Sequence, residues 1–95
     1  MGRVNYTVPA ERDLIDIWLY IAEDDHYAAD RFIGRIYVLC MKLAKSTGMG
    51  RLRPEAGTHV RSFGIGTYTI FYLPVDGGIE IQRVLNDSRK LKDSF

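Results

Sequence analysis

The chain has 95 residues, of which 46% are hydrophobic and 26% charged, and its formal net charge is +1. This length and balance predict one folded domain over residues 1–95 and exclude wholesale disorder. No apolar run approaches the ~20 residues that span a bilayer, and the first residues lack the apolar region of a secretory signal. The single cysteine, Cys40, has no second cysteine to pair with, so we expect a cytoplasmic protein that contacts no membrane.

Charge is distributed unevenly along the chain. Residues 1–30 hold seven acidic and two basic side chains, whereas residues 31–95 hold eleven basic and five acidic ones. This asymmetry is typical of a protein with an anionic or acidic partner on one side. An uneven solvated surface gives the same counts, so charge alone leaves both interpretations open.

The first half of the chain predicts a short strand followed by two helices. Residues 3–8 alternate β-branched and aromatic types and indicate a strand, and Pro9 suits the first position of a helix. Asp24 or Asp25 can cap a second helix, which Gly48 is placed to end. Apolar residues recur at helical spacing in both segments, and they are Ala10, Leu14, Ile17, Trp18, Ile21, Ala29, Phe32, Ile33, Ile36, Leu39, Cys40 and Leu43. The acidic turn between the helices predicts a helical hairpin, with Trp18, Phe32, Ile36, Leu39, Cys40 and Leu43 largely buried.

Both helices also carry apolar residues outside these stripes. A helix of this kind is either packed on two sides or exposes an apolar surface to a partner. The spacing of the residues alone leaves both arrangements open. The residues outside the stripes are Ile15, Leu19, Ala22, Tyr37, Val38 and Met41.

The second half of the chain changes to a period of two and predicts three strands. They cover residues 58–63, 67–73 and 79–85, and short turn-like segments separate them. Such short connections imply an antiparallel meander. The expected fold class is α+β, with the order β-α-α-β-β-β and the helical hairpin packed on one face of a small, mainly antiparallel sheet.

Arg83 is expected inside the last strand. Alternation places it on one face with three apolar residues, Ile79, Ile81 and Leu85. A guanidinium in that position needs a partner, because an unpaired buried charge costs about several kcal/mol. Either an internal carboxylate such as Asp13 or Glu11 supplies the partner, or Arg83 lines a groove for an anionic or carbonyl-rich ligand.

Further basic residues flank the predicted sheet. Each one is an ordinary surface base, but together they predict one basic edge that binds phosphates or an acidic peptide. With Arg83, this predicted target-binding set is Arg51, Arg53, Arg61, Arg83, Arg89 and Lys90.

The sequence offers no self-contained catalytic set. Cys40 lies within an apolar helical stripe, which indicates a core residue and not a nucleophile. The two histidines, His26 and His59, are not grouped with cysteines or carboxylates at metal-ligand spacing. The glycine pairs lack the strand-to-helix context of a phosphate loop. We therefore predict no catalytic residue, metal or cofactor.

The order and spacing of these residues, over the whole chain, resemble ParE-type toxins of the RelE/ParE superfamily, the toxin halves of bacterial type II toxin–antitoxin pairs. The resemblance is carried by Ala10, Asp13-Leu14, Ile17-Trp18, Tyr20-Ile21-Ala22, Ala28-Ala29, Phe32-Ile33, Leu43-Ala44, Gly50-Arg51, Arg53, Arg61-Ser62-Phe63, Tyr68, Ile70-Phe71-Tyr72, Ile79-Glu80-Ile81, Arg83-Val84-Leu85 and Arg89.

The superfamily implies two different activities on one scaffold. Its RelE branch cleaves messenger RNA on the ribosome, and its ParE branch poisons DNA gyrase. The ribonuclease branch typically has an arginine after the aromatic residue of the third strand and a His, Lys or Tyr acid/base near the C-terminus. Here Thr69 follows Tyr68, and no histidine or tyrosine follows Leu85. RNA cleavage needs a positioned proton donor and acceptor, so the ParE branch is favoured.

The resemblance therefore implies a toxin that inhibits gyrase by binding and forms a hetero-oligomer with a cognate antitoxin. The basic set would contact the target, and the six apolar residues outside the stripes would contact the antitoxin. Asn86, Thr47 and Lys90 depart from residues common in ParE proteins. Two alternatives stay open, a ribosome-dependent endoribonuclease and a degenerate, non-toxic binding module.

Overall fold

The computed structural model describes residues 2–86, and it confirms the predicted α+β architecture. A two-residue strand that the sequence did not predict precedes the meander. The elements are β1 (Arg3–Tyr6), α1 (Val8–Ala22), α2 (His26–Lys45), β2 (Arg51–Leu52), β3 (Arg61–Ile65), β4 (Tyr68–Val75) and β5 (Gly78–Asn86).

Both helices begin at side-chain caps. The Thr7 hydroxyl accepts a hydrogen bond from the Ala10 amide at 3.1 Å, and Pro9 occupies the first turn of α1. Of the two candidate caps for α2, Asp25 is the one used, since its carboxylate accepts from the amides of residues 27 and 28. The helix ends at Lys45, earlier than expected, because residues 47–49 form a separate 3-10 turn.

The five strands form one sheet in the order β1-β5-β4-β3-β2. The pairs β2–β3, β3–β4 and β4–β5 are antiparallel, and β1 runs parallel to β5 along its other edge. The helical hairpin packs on one face of this sheet, and its main core joins both helices to the strands. Its largest fully buried side chains are Tyr72, Ile36, Leu43, Ile70, Ile79, Ile81 and Cys40.

A β-bulge in β5 overturns the expected face of Leu85. Tyr72 pairs with Ile81 but Phe71 pairs with Arg83, so Gln82 is an extra residue. Because an inserted residue reverses the alternation beyond it, Arg83 leaves the face that carries Ile79 and Ile81, and so does Leu85. Leu85 packs instead in a second small cluster with Val60 and Phe71.

The predicted core of the hairpin is only partly correct. Ile36, Cys40 and Leu43 are fully buried, but Trp18, Phe32 and Leu39 are half-buried at its margin. The indole Nε1 of Trp18 donates to Asp30 Oδ1 at 2.7 Å, so one edge of the ring faces a polar rim. In residues 2–86, no helix combines the length and apolarity that crossing a membrane requires.

Candidate functional site

The helical hairpin exposes an apolar face. Five of the six residues predicted to contact a partner have between 45% and 59% of their surface exposed, and they are Ile15, Leu19, Tyr37, Val38 and Met41. The sixth, Ala22, is buried, contrary to expectation. It is the last residue of α1, where the tight turn brings the two helices together. We call the five exposed residues the hairpin face.

A groove of about 520 Å³ opens between α1 and α2 beside this face. The rings of Tyr6 and Tyr37 meet edge to face, with centroids 5.6 Å apart and planes at 86°. The lining residues are Tyr6, Glu11, Leu14, Ile15, Trp18, Ile33 and Tyr37. The hairpin therefore presents a cleft with apolar walls as well as an apolar surface.

Arg83 forms an internal ion pair with Asp13 of α1. Its Nε lies 2.8 Å from Asp13 Oδ2 and its Nη2 lies 2.9 Å from Oδ1, while the amide of Val84 donates to the same Oδ2 at 2.9 Å. The carboxylate therefore ties α1 to β5, and it raises the pKa of Arg83 chiefly through hydrogen bonding. Of the two interpretations left open by the sequence, the structure contains the internal pair.

Arg61 and Arg53 also make internal contacts. Arg61 Nη1 donates to the carbonyls of Gly50 at 2.6 Å and Gly48 at 3.4 Å, which fixes the segment before β2. Arg53 donates from Nε to Glu55 Oε2 at 2.8 Å and from Nη1 to the Ser62 hydroxyl at 3.0 Å. The hydrogen bond from Arg53 is also the main reason that the pKa of Glu55 is lowered.

Among the predicted target residues that the structure describes, Arg51 has the fewest side-chain contacts. It is exposed, and within residues 2–86 its side chain forms no hydrogen bond or salt bridge. Together with Arg53 it lines a groove of about 340 Å³ whose other walls are Met49, Ser62, Phe63, Gly64 and Thr69. This groove lies at the β2–β3 end of the sheet, and we call it the basic groove.

The described residues of the predicted basic set do not lie along one edge of the sheet. Arg51, Arg53 and Arg61 lie on β2, the loop that follows it and β3, but Arg83 lies on β5, with β4 between them. Arg61 lines a different groove, which includes His59. Arg89 and Lys90 fall outside the described residues.

The sequence did not reveal that Tyr72 holds the segment that precedes Arg51 in the basic groove. Its buried hydroxyl accepts from the Gly50 amide and donates to the Thr47 carbonyl, both at 2.8 Å. Burial raises the pKa of this phenol, so it remains a donor. A tyrosine within a core strand needs a hydrogen-bond partner, and that was the one signal available in the sequence.

Cys40 is a core residue, as its position in the stripe predicted. Its side chain is fully buried, and burial raises the pKa of its thiol to about 11. The neighbouring Tyr6 also has a raised pKa, with burial as the largest cause. Among residues 2–86, no three His, Cys, Asp or Glu side chains come together as a possible metal site.

This fold is shared with a solved protein. A chain of the chromosomal ParDE toxin–antitoxin system from P. aeruginosa superposes with a TM-score of 0.74 at 20% sequence identity, covering 90% of this chain and 96% of that one. At this identity the likeness shows a common fold. No curated protein sequence matches the chain. The family model for the ParE toxin of the type II toxin–antitoxin system parDE matches residues 4–91, and the chain therefore belongs to the ParE toxin family.

Proposed function

We propose that this toxin acts by binding and inhibiting DNA gyrase, and that a cognate antitoxin neutralises it by covering the hairpin face. Membership of the ParE toxin family is the observation that carries the proposal. The geometry contributes two separate surfaces of different chemistry, one apolar and one basic. Two separate surfaces allow the target and the antitoxin to bind at different places on the toxin.

The hairpin face supports the antitoxin part of the proposal. Its five apolar side chains are far more exposed than core residues, and two of them, Ile15 and Tyr37, also line the groove between α1 and α2. Contiguous exposed apolar surface of this kind marks protein interaction sites. A partner helix with apolar residues at spacings of three and four fits between two helices.

Leu19→Asp tests the antitoxin site. A charge placed within a desolvated apolar contact is expected to weaken binding by at least tenfold. Tyr20→Asp on the same helix is the matched control, because Tyr20 is also exposed but does not belong to the hairpin face. Binding is measured with the purified product of the neighbouring reading frame. Equal affinity of the Leu19→Asp variant and the wild-type protein would place the antitoxin elsewhere.

The basic groove supports the target part of the proposal. Arg51 offers an exposed guanidinium beside Arg53, which suits carboxylate or phosphate groups on a macromolecule. Inhibition by binding requires only shape and charge. RNA cleavage requires a proton donor and acceptor at one phosphate. After Leu85 the sequence contains two lysines, Lys90 and Lys92, but no histidine or tyrosine.

A supercoiling assay tests gyrase as the target. The purified toxin is expected to block supercoiling and accumulate cleaved plasmid, and the antitoxin is expected to reverse both effects. Arg51→Ala should lower the potency at least tenfold without loss of stability, since within residues 2–86 this side chain has no hydrogen bond or salt bridge to lose. Arg31→Ala on the exposed surface of α2 is the matched control and should leave potency unchanged.

Expression in bacteria separates the alternatives. Gyrase inhibition predicts filamentous cells and a DNA-damage response while bulk translation initially continues. Translation-dependent messenger cleavage with unaffected gyrase would favour the ribonuclease alternative. Tight antitoxin binding with no effect on growth, gyrase or messenger RNA would indicate a non-toxic binding module.

A further inference from the structure

We propose that the groove between α1 and α2 receives a cationic side chain, an arginine or a lysine, from the antitoxin helix that covers the hairpin face. This inference rests on the proposed neutralisation by an antitoxin and specifies the chemistry of that partner. Glu11 and the aromatic rings of Tyr6, Trp18 and Tyr37 form the receiving site.

Aromatic and aliphatic residues contribute equally to the lining of this groove. Three of its seven lining residues are Tyr6, Trp18 and Tyr37, and the other apolar ones are Leu14, Ile15 and Ile33. A cation is attracted to aromatic ring faces, most strongly where water is excluded. The aliphatic stem of an arginine or lysine also packs well on such a surface. A long cationic side chain therefore satisfies both the aromatic and the aliphatic walls.

Glu11 gives the groove a negative charge. It is the one charged residue among the lining residues, and its side chain forms no hydrogen bond or salt bridge with any other residue in 2–86. A partner helix that brought only apolar residues would desolvate this carboxylate without compensation. A partner cation meets the carboxylate by a charge-assisted hydrogen bond.

Glu11 also has a simpler structural explanation. It lies in the first turn of α1, where a carboxylate interacts favourably with the helix dipole. That effect concerns the stability of the free toxin and does not depend on a partner. Thermal unfolding and partner affinity, measured on the same variants, therefore separate the two explanations.

The two grooves of the toxin suit opposite charges on the antitoxin. The basic groove formed around Arg51 and Arg53 suits an acidic segment, whereas the hairpin groove suits a cation. An antitoxin that contacts both surfaces must therefore place opposite charges at its two contact points. This arrangement fixes the direction in which the antitoxin lies on the toxin.

The affinity for the purified product of the neighbouring reading frame, measured by titration calorimetry, tests the inference. Glu11→Gln keeps the size of the side chain and should weaken binding at least tenfold, with a smaller dependence on salt than in the wild-type protein. Tyr37→Leu keeps an apolar surface but removes the ring, and should weaken binding about 3- to 10-fold. Asp16→Asn, an exposed acid of the same helix outside the groove, is the matched control and should bind normally.

A charge-reversal experiment identifies the partner residue. Each arginine and lysine of the antitoxin's toxin-binding segment is replaced by glutamate, and each variant is combined with Glu11→Lys. One such pair should bind at least tenfold more tightly than either single variant binds its wild-type partner.

Normal binding by the Glu11→Gln variant, or no recovering pair, would overturn this inference alone. No binding by the wild-type toxin, or Leu19→Asp binding as tightly as wild type, would overturn the proposed antitoxin site and this inference with it. A lower unfolding temperature for Glu11→Gln with unchanged affinity would assign Glu11 to the helix dipole, and so reject the proposal.

Discussion

Replacing Asp13 by alanine should separate α1 from β5 and destabilise the toxin. The Asp13 carboxylate accepts three hydrogen bonds, two from the Arg83 guanidinium and one from the Val84 amide. The Asp13 side chain is 12% exposed and that of Arg83 24% exposed, so the pair is mostly but not completely withdrawn from water. In the Asp13→Ala variant the guanidinium keeps its charge and loses its carboxylate partner.

The expected cost lies between two known limits. Breaking a fully buried ion pair costs about 3–5 kcal/mol, and an exposed pair contributes about 0.2–1 kcal/mol. For this partly exposed pair with an additional backbone hydrogen bond, we expect a loss of about 2–3 kcal/mol in the free energy of unfolding. In a domain of this size each kcal/mol lowers the melting temperature by about 4–8 °C, which gives a decrease of about 8–24 °C.

Urea and thermal unfolding, followed by circular dichroism, measure this loss. Asp16→Ala on the same helix is the control, since an exposed side chain away from the pair should change stability by less than about 0.5 kcal/mol. A double-mutant cycle with Arg83→Ala should give a coupling energy above about 1 kcal/mol. A loss below about 1 kcal/mol for Asp13→Ala, or additive effects of the two single substitutions on stability, would refute the conclusion that this ion pair stabilises the packing of α1 on β5.

Alanine substitutions at Gly50 and Gly34 should change stability in opposite directions, and the contribution of the Cys40 thiol to stability should depend on pH. Gly50→Ala should destabilise the protein by more than about 2 kcal/mol, because its Cβ would lie 2.5 Å from the Tyr72 hydroxyl. Gly34→Ala has open space around its Cβ within α2 and should stabilise the protein by about 0.5–1 kcal/mol. Cys40 has a pKa of about 11 in the folded protein against 9.0 for the free thiol, so the folded state binds its proton more tightly. This stabilisation of about 2–3 kcal/mol is complete below pH 9 and should be lost as the pH rises from 9 through 11. Chemical denaturation of the wild-type protein and the Cys40→Ala variant between pH 9 and 11 measures this contribution. An equal pH dependence of stability in the two proteins would show that the Cys40 thiol does not cause it.

Local signals in the sequence were sufficient for the helical hairpin and for the meander. Cap residues, turn residues and apolar periodicity act over a few positions, and Asp25 and the strand periodicity are examples. Ala22 shows the limit of this reasoning, because its helical angle indicated an exposed side but the turn after α1 buries it. The position of α2 against the end of α1 is a tertiary property.

The bulge and the arginine contacts could not be predicted in the same way. Nothing around Gln82 distinguishes a bulge from regular alternation, since the inserted residue is fixed by how β4 and β5 fit together. Arg53 and Arg61 were predicted as surface bases, and their internal acceptors are largely backbone carbonyls and hydroxyls of neighbouring segments. The Asp13–Arg83 pair was among the sequence alternatives because opposite charges on apolar elements require each other. The sequence could not decide between that pair and a ligand.

The parallel pairing of β1 with β5 has a consequence for how the toxin acquires its structure during synthesis. Tyr6 pairs with Ile81, and the Thr7 hydroxyl bonds to the carbonyl of Gln82, a residue 75 positions later in the chain. At about 5–20 residues per second, roughly 4–15 s pass between the synthesis of these two partners. During that interval β1 has no strand beside it and the hairpin lacks the strand that α1 packs against. A chain whose synthesis stops before β5 lacks the strand that joins β1 to β4, so we expect that such a chain does not form this sheet.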